Sequence, residues 1–295
     1  MKSNNEVVKT VSMIGGEVKA SRAPEATVRL GESGGLGAFD DMYFATEMLR
    51  FTASHPGVPR FVRAYRPEPT VAFSRRESLL PGFAAALTAA ASFGFTPVIR
   101  PTGGRAVAMD HSCLVIDLIE PVPRRHEGHR LAYSLVSGAL AAGLGSLGVD
   151  ARVGEVPGEF CPGEFSVNAR GVTKIIGISQ RVIAGARLVS AMVAIEHPGV
   201  LPEVLAEVNR ELDFAWEKET FGSVATEIDA VDFLAVSEAL QDALCTAADR
   251  AGGAAKDPAE NPAGGRVEVR DLASSYAHFL VGSRSTEPGR DDDRH

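Results

Sequence analysis

Residues 100–110 read RPTGGRAVAMD, and this stretch decides how the chain around it can fold. It follows the strand-like segment TPVIR at 96–100 and precedes CLVIDLIEP at 113–121, whose apolar run is typical of a buried strand. Adjacent glycines between two strands remove Cβ atoms from a turn, so a ligand can lie directly against the backbone and its N–H groups. A simple hairpin turn gives the same pattern, and the residues alone leave both interpretations open.

On both sides of this turn, the apolar periodicity predicts clusters of strands with helices between them. Helices are expected from an N-cap at Asp40 to a stop before His55, from Pro81 to Gly94, and near 130–147, 202–216 and 228–250. Strands are expected at 59–67 and 70–77 as a pair, and at 164–169, 173–183 and 187–196. The pattern predicts an α+β fold with a mixed, largely antiparallel sheet flanked by helices, in which the strands of 97–119 and 164–196 share one main sheet.

The composition excludes several classes of protein. The chain has a net charge of −8 and 45% apolar residues, which argues against a nucleic-acid or membrane footprint and allows a sizeable core. No apolar run approaches the ~20 residues of a membrane span. The three cysteines are odd in number and irregularly spaced, so they predict neither a disulfide framework nor a zinc or other metal site. We expect a cytoplasmic protein.

The two ends of the chain differ from its middle. Residues 1–25 and 282–295 are polar and lack periodicity, so we expect both to be disordered. The segment 251–265 has the Ala, Gly and Pro bias of a linker, and we take 251–281 as a linker and C-terminal extension. The remaining residues, 26–250, are expected to form the main domain.

A second informative segment contains Cys161 and Lys174. Cys161 lies in EFCPGEF, a loop-type environment in which an accessible thiol near a cation can ionise and act as a nucleophile. Cys113 and Cys245 lie in apolar stretches and are expected to be core residues. Lys174 opens the apolar segment KIIGISQR, where an ammonium group needs either a partner or a place at the rim. A lysine at a strand end that reaches solvent remains the alternative.

Together, RPTGGRAVAMD, FCPGEFSV and KIIGISQR resemble the superfamily of lipoate-protein ligases, octanoyltransferases and biotin protein ligases. The resemblance covers about 36–216, and its Cys-Pro-Gly loop is similar to that of the octanoyl-[glycine-cleavage H protein] N-octanoyltransferases. It implies a class II biotin/lipoate ligase-like catalytic domain at 26–250. It also implies an acyltransferase that forms an acyl-cysteine intermediate during lipoate biosynthesis.

The resemblance implies roles for individual residues. Cys161 would be the nucleophile, and Lys174 would contact the acyl carbonyl and favour the thiolate. The other implied residues would bind substrate as walls of an acyl tunnel, namely Arg100, Thr102, Gly103, Gly104, Arg105, Ala106, Val107, Gly177, Ile178 and Ser179.

The implied reaction moves an octanoyl or lipoyl group from a carrier protein to a lysine of a lipoyl domain. The glycine-cleavage H protein and acyl carrier protein are both candidate donors, and lipoyl domains of 2-oxoacid dehydrogenase E2 subunits are the expected acceptors. No cofactor is required in this interpretation.

Two alternatives stay open. An ATP-dependent lipoate-protein ligase would need ATP and Mg²⁺ but no cysteine. Its usual third glycine and His-Asp pair are replaced by Arg105 and by Met109-Asp110 in this chain, which weakens that interpretation. A non-catalytic protein that binds lipoylated domains could keep the same fold and pocket, and the combination of Cys161 and Lys174 argues against it.

Overall fold

The computed structural model describes residues 27–34, 36–55, 57–122 and 128–254, which form two sheets covered by helices. In chain order the strands are β1 (Val28–Gly34), β2 (Phe61–Arg66), β3 (Thr70–Phe73), β4 (Thr96–Ile99), β5 (Val107–Met109), β6 (Cys113–Pro121), β7 (Ala151–Val153), β8 (Val167–Ala169), β9 (Thr173–Ile183) and β10 (Ala186–Ala194). The α-helices are α1 (Ala38–Ser54), α2 (Phe83–Ser92), α3 (His129–Ser146), α4 (Leu201–Glu211) and α5 (Phe233–Ala254). The predicted α+β class is confirmed.

Within the described residues, the larger sheet contains seven strands in the order β1-β2-β6-β10-β9-β8-β7. β1 runs parallel to β2, and the remaining neighbours are antiparallel. The apolar strands β6 and β10 lie at the centre, because a strand that is covered on both faces needs apolar residues on both sides. The predicted mixed, largely antiparallel sheet is confirmed.

The smaller sheet has the order β4-β3-β5 in the described part of the chain, with β3 parallel to β4 and antiparallel to β5. The predicted pairing of 59–67 with 70–77 is therefore wrong, since β2 stays in the larger sheet and β3 leaves it. Pro67 and Pro69 lie between these two strands, where fixed φ angles and missing N–H groups oppose a tight hairpin. The prediction that 97–119 and 164–196 share one main sheet is wrong in part, since β4 and β5 lie in the smaller sheet whereas β6 lies in the larger sheet with β8, β9 and β10.

Two apolar cores lie on opposite faces of the larger sheet. The first core packs that sheet against α3 and α5, and it includes Ile116 and Leu140. The second core packs the other face against the smaller sheet, α2 and α4, and it includes Phe73 and Val115. Because successive residues of a strand point to opposite faces, β6 contributes alternately to both cores. This explains why its sequence reads as an unbroken apolar run.

The helix boundaries differ from several predictions. α1 begins at Ala38 after Gly37, whose φ of 124° fits glycine, and no side chain caps the helix. The predicted N-cap at Asp40 is therefore wrong, since Asp40 lies inside the first turn, where a carboxylate favours the helix dipole. The helix expected to end at 250 continues to Ala254. The predictions for 1–25 and 282–295, and most of the one for 251–281, lie outside the described residues.

No helix in the described part of the chain is long and apolar enough to cross a membrane.

Candidate active site

The thiol of Cys161 lies against the backbone of the Gly-Gly turn. Cys161 is half-buried in the loop between β7 and β8, and its Sγ accepts the backbone N–H of Arg105 at 3.2 Å. A Cβ added at Gly104 would lie 3.2 Å from the same sulphur. The structure thus brings two distant sequence segments together at one atom, and the N–H contact favours a negative charge on that atom.

A buried ion pair between Lys174 and Glu159 fixes the Cys161 loop. Lys174 Nζ donates to Glu159 Oε1 at 3.0 Å and to the backbone carbonyl of Cys161 at 2.5 Å. The Glu159 carboxylate also accepts from the hydroxyl of Ser166 at 2.7 Å and from the N–H of Val156 at 3.0 Å. Because the Lys174 and Glu159 side chains are only 2% and 0% exposed, the pair is enclosed. Lys174 therefore contacts a carbonyl of the protein itself in this structure.

Aromatic residues pack around the same ammonium group. Lys174 Nζ lies 4.6 Å from the centre of the Phe160 ring, which is a cation–π distance. Phe160 is buried against the edge of Trp216 and stacks on Phe221. Cys161 is consequently attached to the second core through its neighbour, so its loop has a fixed position.

The Gly-Gly turn is shaped by Arg100. One guanidinium nitrogen, Nη2, donates to the carbonyls of Gly103 and Arg105, each at 2.7 Å. Gly104 has a φ of +101°, which side chains rarely tolerate, so glycine is required there. The N–H of Ala106 donates to Glu77 Oε1 at 2.6 Å and anchors the start of β5. Burial lowers the pKa of Arg100, and the nearby charges of Cys161 and Glu77 oppose this effect.

A small pocket, partly open to solvent, lies between α1, the larger sheet and the smaller sheet. Its apolar walls come from Met42, Ala45, Ala72, Pro101, Met109, Val115 and Leu188. Its polar lining comes from Tyr65, Arg100, Thr102, Asp117 and Ser190. Arg100 therefore links the pocket to the thiol. Cys161 itself does not line the pocket, and a mostly apolar lining is common in sites for small apolar ligands.

A row of polar residues crosses the larger sheet beneath this pocket. Arg63, Asp117, Ser190 and Ser179 are partners in register on β2, β6, β10 and β9, so they share one face of the sheet. We call these four residues the polar row. Ser179 donates from its hydroxyl to the hydroxyl of Thr102 at 2.9 Å, which joins the row to the Gly-Gly turn.

Buried charges dominate one end of the polar row. Arg63 forms a buried ion pair with Asp41 of α1. Burial raises the pKa of Asp117 to about 6, although Arg63 and a hydrogen bond from Ser190 act in the opposite direction. One Asp117 oxygen, Oδ2, has no hydrogen-bond partner among the described residues. Burial also raises the pKa values of Asp41 and of Tyr65. This end of the pocket therefore holds a carboxyl group that is easily protonated.

The remaining residues of the predicted tunnel lie in different parts of the structure. Gly177 lies beside Lys174, since an added Cβ would be 3.4 Å from Lys174 Cε. Ala106 and Val107 are buried in the second core and are not part of the pocket lining. Ile178 packs against the first core, on the opposite face of the sheet.

The other two cysteines lie away from this site. Cys113 is fully buried in the second core, and burial raises its pKa to about 12. Cys245 packs against the first core, and burial raises its pKa as well. Both positions agree with the expectation that these residues serve packing.

Sequence reasoning missed Glu159, Asp41 and most of the polar row. A usable signal was present, because Arg63, Asp117 and Ser190 each interrupt an apolar strand segment. A polar residue in the middle of a buried strand is costly unless it has a partner or a function. The partners themselves come from other strands and from α1, and sequence spacing does not identify them.

Comparison with known proteins gives one family and several relatives of known name. The family model described as the lipoyl protein ligase A/B catalytic domain matches residues 41–225. The chain is 31% identical over 160 residues to an octanoyl-[GcvH]:protein N-octanoyltransferase of Geobacillus kaustophilus, a match that covers 54% of this chain and 56% of the relative. It is 28% identical over 195 residues to a protein of the same name from Exiguobacterium sp., covering 63% and 67%. The chain thus spans little more than half the length of the first of these relatives.

A solved structure shares the fold. The bi-partite lipoate protein ligase of Thermoplasma acidophilum superposes with a TM-score of 0.56 at 21% identity, covering 75% of this chain and 83% of that one.

Proposed function

Because the chain belongs to the lipoyl protein ligase A/B catalytic-domain family, we propose that it is an acyltransferase whose nucleophile is Cys161. It transfers an octanoyl or lipoyl group from a carrier protein to a lysine of a lipoyl domain. The observation that carries this proposal is the thiol of Cys161, held on the N–H of Arg105 beside Arg100, which lines a mostly apolar pocket.

The reaction consists of two acyl exchanges. The Cys161 thiolate attacks the carbonyl carbon of the octanoyl group on the donor, a C–S bond forms, and the bond to the donor nitrogen breaks. The departing amine takes up a proton. The neutral amine of the acceptor lysine then attacks the thioester, a C–N bond forms, the C–S bond breaks, and the acceptor nitrogen loses a proton as the thiolate returns.

This route requires no cofactor. An amide is exchanged for an amide, so the overall change in free energy is small and no nucleotide is consumed. Holding the chain in the pocket supplies binding energy, since burial of an octanoyl tail contributes about 5 kcal/mol at roughly 0.8 kcal/mol per methylene.

The names of the relatives bear on the choice of donor. The names of the Geobacillus and Exiguobacterium relatives include GcvH, the glycine-cleavage H protein, which supports that carrier as the donor here. A thioester on acyl carrier protein would use the same nucleophile. Lipoyl domains of 2-oxoacid dehydrogenase E2 subunits are the proposed acceptors.

Intact-protein mass spectrometry tests this proposal. The protein is mixed separately with octanoylated H protein, with octanoyl-acyl carrier protein, and with octanoate plus ATP. We expect a carrier protein to add one octanoyl group to the wild type, and hydroxylamine to remove it. Cys161→Ser should abolish the adduct because an alkoxide is much harder to form than a thiolate near neutral pH. Cys113→Ser and Cys245→Ser should retain the adduct.

The competing function gives a different pattern. A lipoate-protein ligase would act on octanoate plus ATP, would keep full activity in Cys161→Ser, and would form no adduct with any carrier protein. That result would replace the acyltransferase by the ligase. Binding of lipoylated domains without any turnover would support a binding protein.

A further inference from the structure

Lys174 and Arg100 both lie near Cys161, and they differ in whether a carboxylate contacts them directly. The charge of Lys174 is balanced by the buried carboxylate of Glu159. Two of its three N–H donors are directed to Glu159 and to the carbonyl of Cys161. An ammonium group held in this way fixes the loop, and little of its charge is left to act on a thiolate.

Arg100 differs from Lys174 in how its charge is balanced. No carboxylate in the described part of the chain forms an ion pair with it. Its Nη2 donates to two backbone carbonyls, which carry no net charge. The guanidinium therefore has no carboxylate in direct contact, although the charge of the buried Glu77 acts on it from a distance. A buried charge without a direct acidic partner is costly unless function requires it.

The guanidinium of Arg100 also lies close to the thiol. A Cβ added at Gly104 would lie 2.7 Å from Arg100 Nη2 and 3.2 Å from Cys161 Sγ, so the two atoms are within about 6 Å of each other. At that separation, in a partly buried site, two opposite charges attract each other appreciably.

One donor of Arg100 is left for a ligand. Its Nε is buried and has no hydrogen-bond partner among the described residues, and Arg100 itself lines the pocket. A buried N–H without an acceptor is rare in folded proteins. An oxygen of a bound acyl group would supply the missing acceptor.

We propose that Arg100 is the catalytic cation of this site, and that Lys174 is a positioning residue. This inference rests on the acyltransferase function proposed above. The Arg100 guanidinium stabilises the thiolate of Cys161, and its Nε–H donates to the acyl carbonyl oxygen. When the thiolate attacks, the C–S bond forms and the π electrons of the carbonyl move to that oxygen. When the carbonyl reforms, the bond to the donor nitrogen breaks and the amine leaves with a proton.

The first test measures the thiolate without any acyl donor. The rate at which iodoacetamide alkylates Cys161 is followed from neutral to high pH by mass spectrometry. We expect Arg100→Met to lower the rate about tenfold near neutral pH and to leave it unchanged at high pH, because only the thiolate reacts. Arg76→Met is the matched control, since Arg76 is exposed on the loop after β3.

The second test separates the charge from the donor. Arg100→Lys keeps a cation and removes Nε, so it should retain most of the alkylation rate while octanoylation of Cys161 by a small octanoyl thioester falls about 10²-fold. Added guanidinium ion should partly restore alkylation and acylation in Arg100→Ala, which a purely structural defect would not allow. Circular dichroism and thermal unfolding show whether each variant folds. If Arg100→Met or Arg100→Ala does not fold, Arg100→Lys is compared with the wild type in its place.

Two outcomes would overturn the proposal. One is an unchanged alkylation profile in Arg100→Met together with a reduced rate near neutral pH in Lys174→Met, which would assign the cation to Lys174. The other is full acylation of Arg100→Lys by the small thioester. Failure of the wild type to form an acyl-enzyme with any carrier would count against the proposed function, and the alkylation profile would still decide whether Arg100 acts on Cys161.

Discussion

At the scale of single residues, Gly104 shows how closely the thiol is fitted to its surroundings. Its φ of +101° excludes most side chains, and the space where a Cβ would lie is occupied by Arg100 Nη2 and Cys161 Sγ. Gly103 has no such neighbours, since an added Cβ there would meet no atom within 4 Å. Glycine is therefore required at position 104 by its backbone conformation and its neighbours, whereas no contact requires it at position 103.

Alanine substitutions distinguish these two glycines. Gly104→Ala should lower the free energy of unfolding by about 1–3 kcal/mol, the usual cost of a strained backbone, and should slow alkylation of Cys161 by moving Arg100 and the sulphur. Gly103→Ala should remain close to the wild type in both properties. Urea unfolding and iodoacetamide labelling measure the two effects. Equal behaviour of the two variants would mean that the turn relaxes freely and does not position the thiol.

The sequence predicted part of this site for identifiable reasons. Cys161 sits among Pro, Gly and Glu, and Gly103 and Gly104 sit between two strands, so local patterns identify them. The Glu159 partner of Lys174 was not predicted, because it depends on how the Cys161 loop lies over β9. The expected contact of Lys174 with the substrate stays a prediction, and in this structure the Lys174 ammonium group donates to the carbonyl of Cys161.

At the scale of elements, the packing of α2 on α4 supports the smaller sheet that carries the Gly-Gly turn. Gly82 precedes α2, and a Cβ added there would lie 1.7 Å from the carbonyl oxygen of Glu211. Only a glycine permits the two helices to approach this closely. By contrast, Gly138 lies inside α3 with no atom within 4 Å of an added Cβ.

Substitutions at these two glycines should have opposite effects on stability. Gly82→Ala should destabilise the protein by about 1–3 kcal/mol, because the backbone of α4 has to move. Gly138→Ala should stabilise it by about 0.5–1 kcal/mol, because alanine favours a helix interior. Thermal unfolding of both variants measures the difference. Two changes of the same sign would show that α2 and α4 do not pack as described.

The elements themselves were predicted unevenly. Strongly patterned segments such as 113–121 and 173–183 were recognised because their apolar runs are long. β1 and β7 were missed, since β7 is only three residues long and β1 contains two glycines. The pairing of β2 and β3 was wrong because the choice between two sheets depends on distant partners.

At the scale of the whole molecule, Asp117 links stability to pH. Its pKa is raised by burial from 3.8 to about 6, so between these values the folded protein holds a proton that the unfolded chain has lost. Stability contributed by the protonated group is present below pH 4 and decreases as the pH rises toward 6. At about 1.4 kcal/mol per pKa unit, the loss amounts to about 3 kcal/mol.

The variant Asp117→Asn removes this titration. Its free energy of unfolding, relative to that of the wild type, should rise by about 3 kcal/mol between pH 4 and pH 7, because asparagine carries no charge in either state. Urea unfolding at a series of pH values measures this difference. A difference that stays constant with pH would show that the Asp117 carboxyl titrates normally, and that Arg63 and Ser190 offset its burial.

The polar row has a consequence for the kinds of mutation that the chain can accept. Its four members meet because four strands keep one register, and side chains alternate between faces with a period of two. Loss of one codon within β6 would turn Asp117 toward the first core and would place an apolar neighbour under the pocket. Point mutations in these strands leave the register intact, whereas frame-preserving insertions or deletions do not. We therefore expect natural length variation among homologues to be confined to the connecting loops.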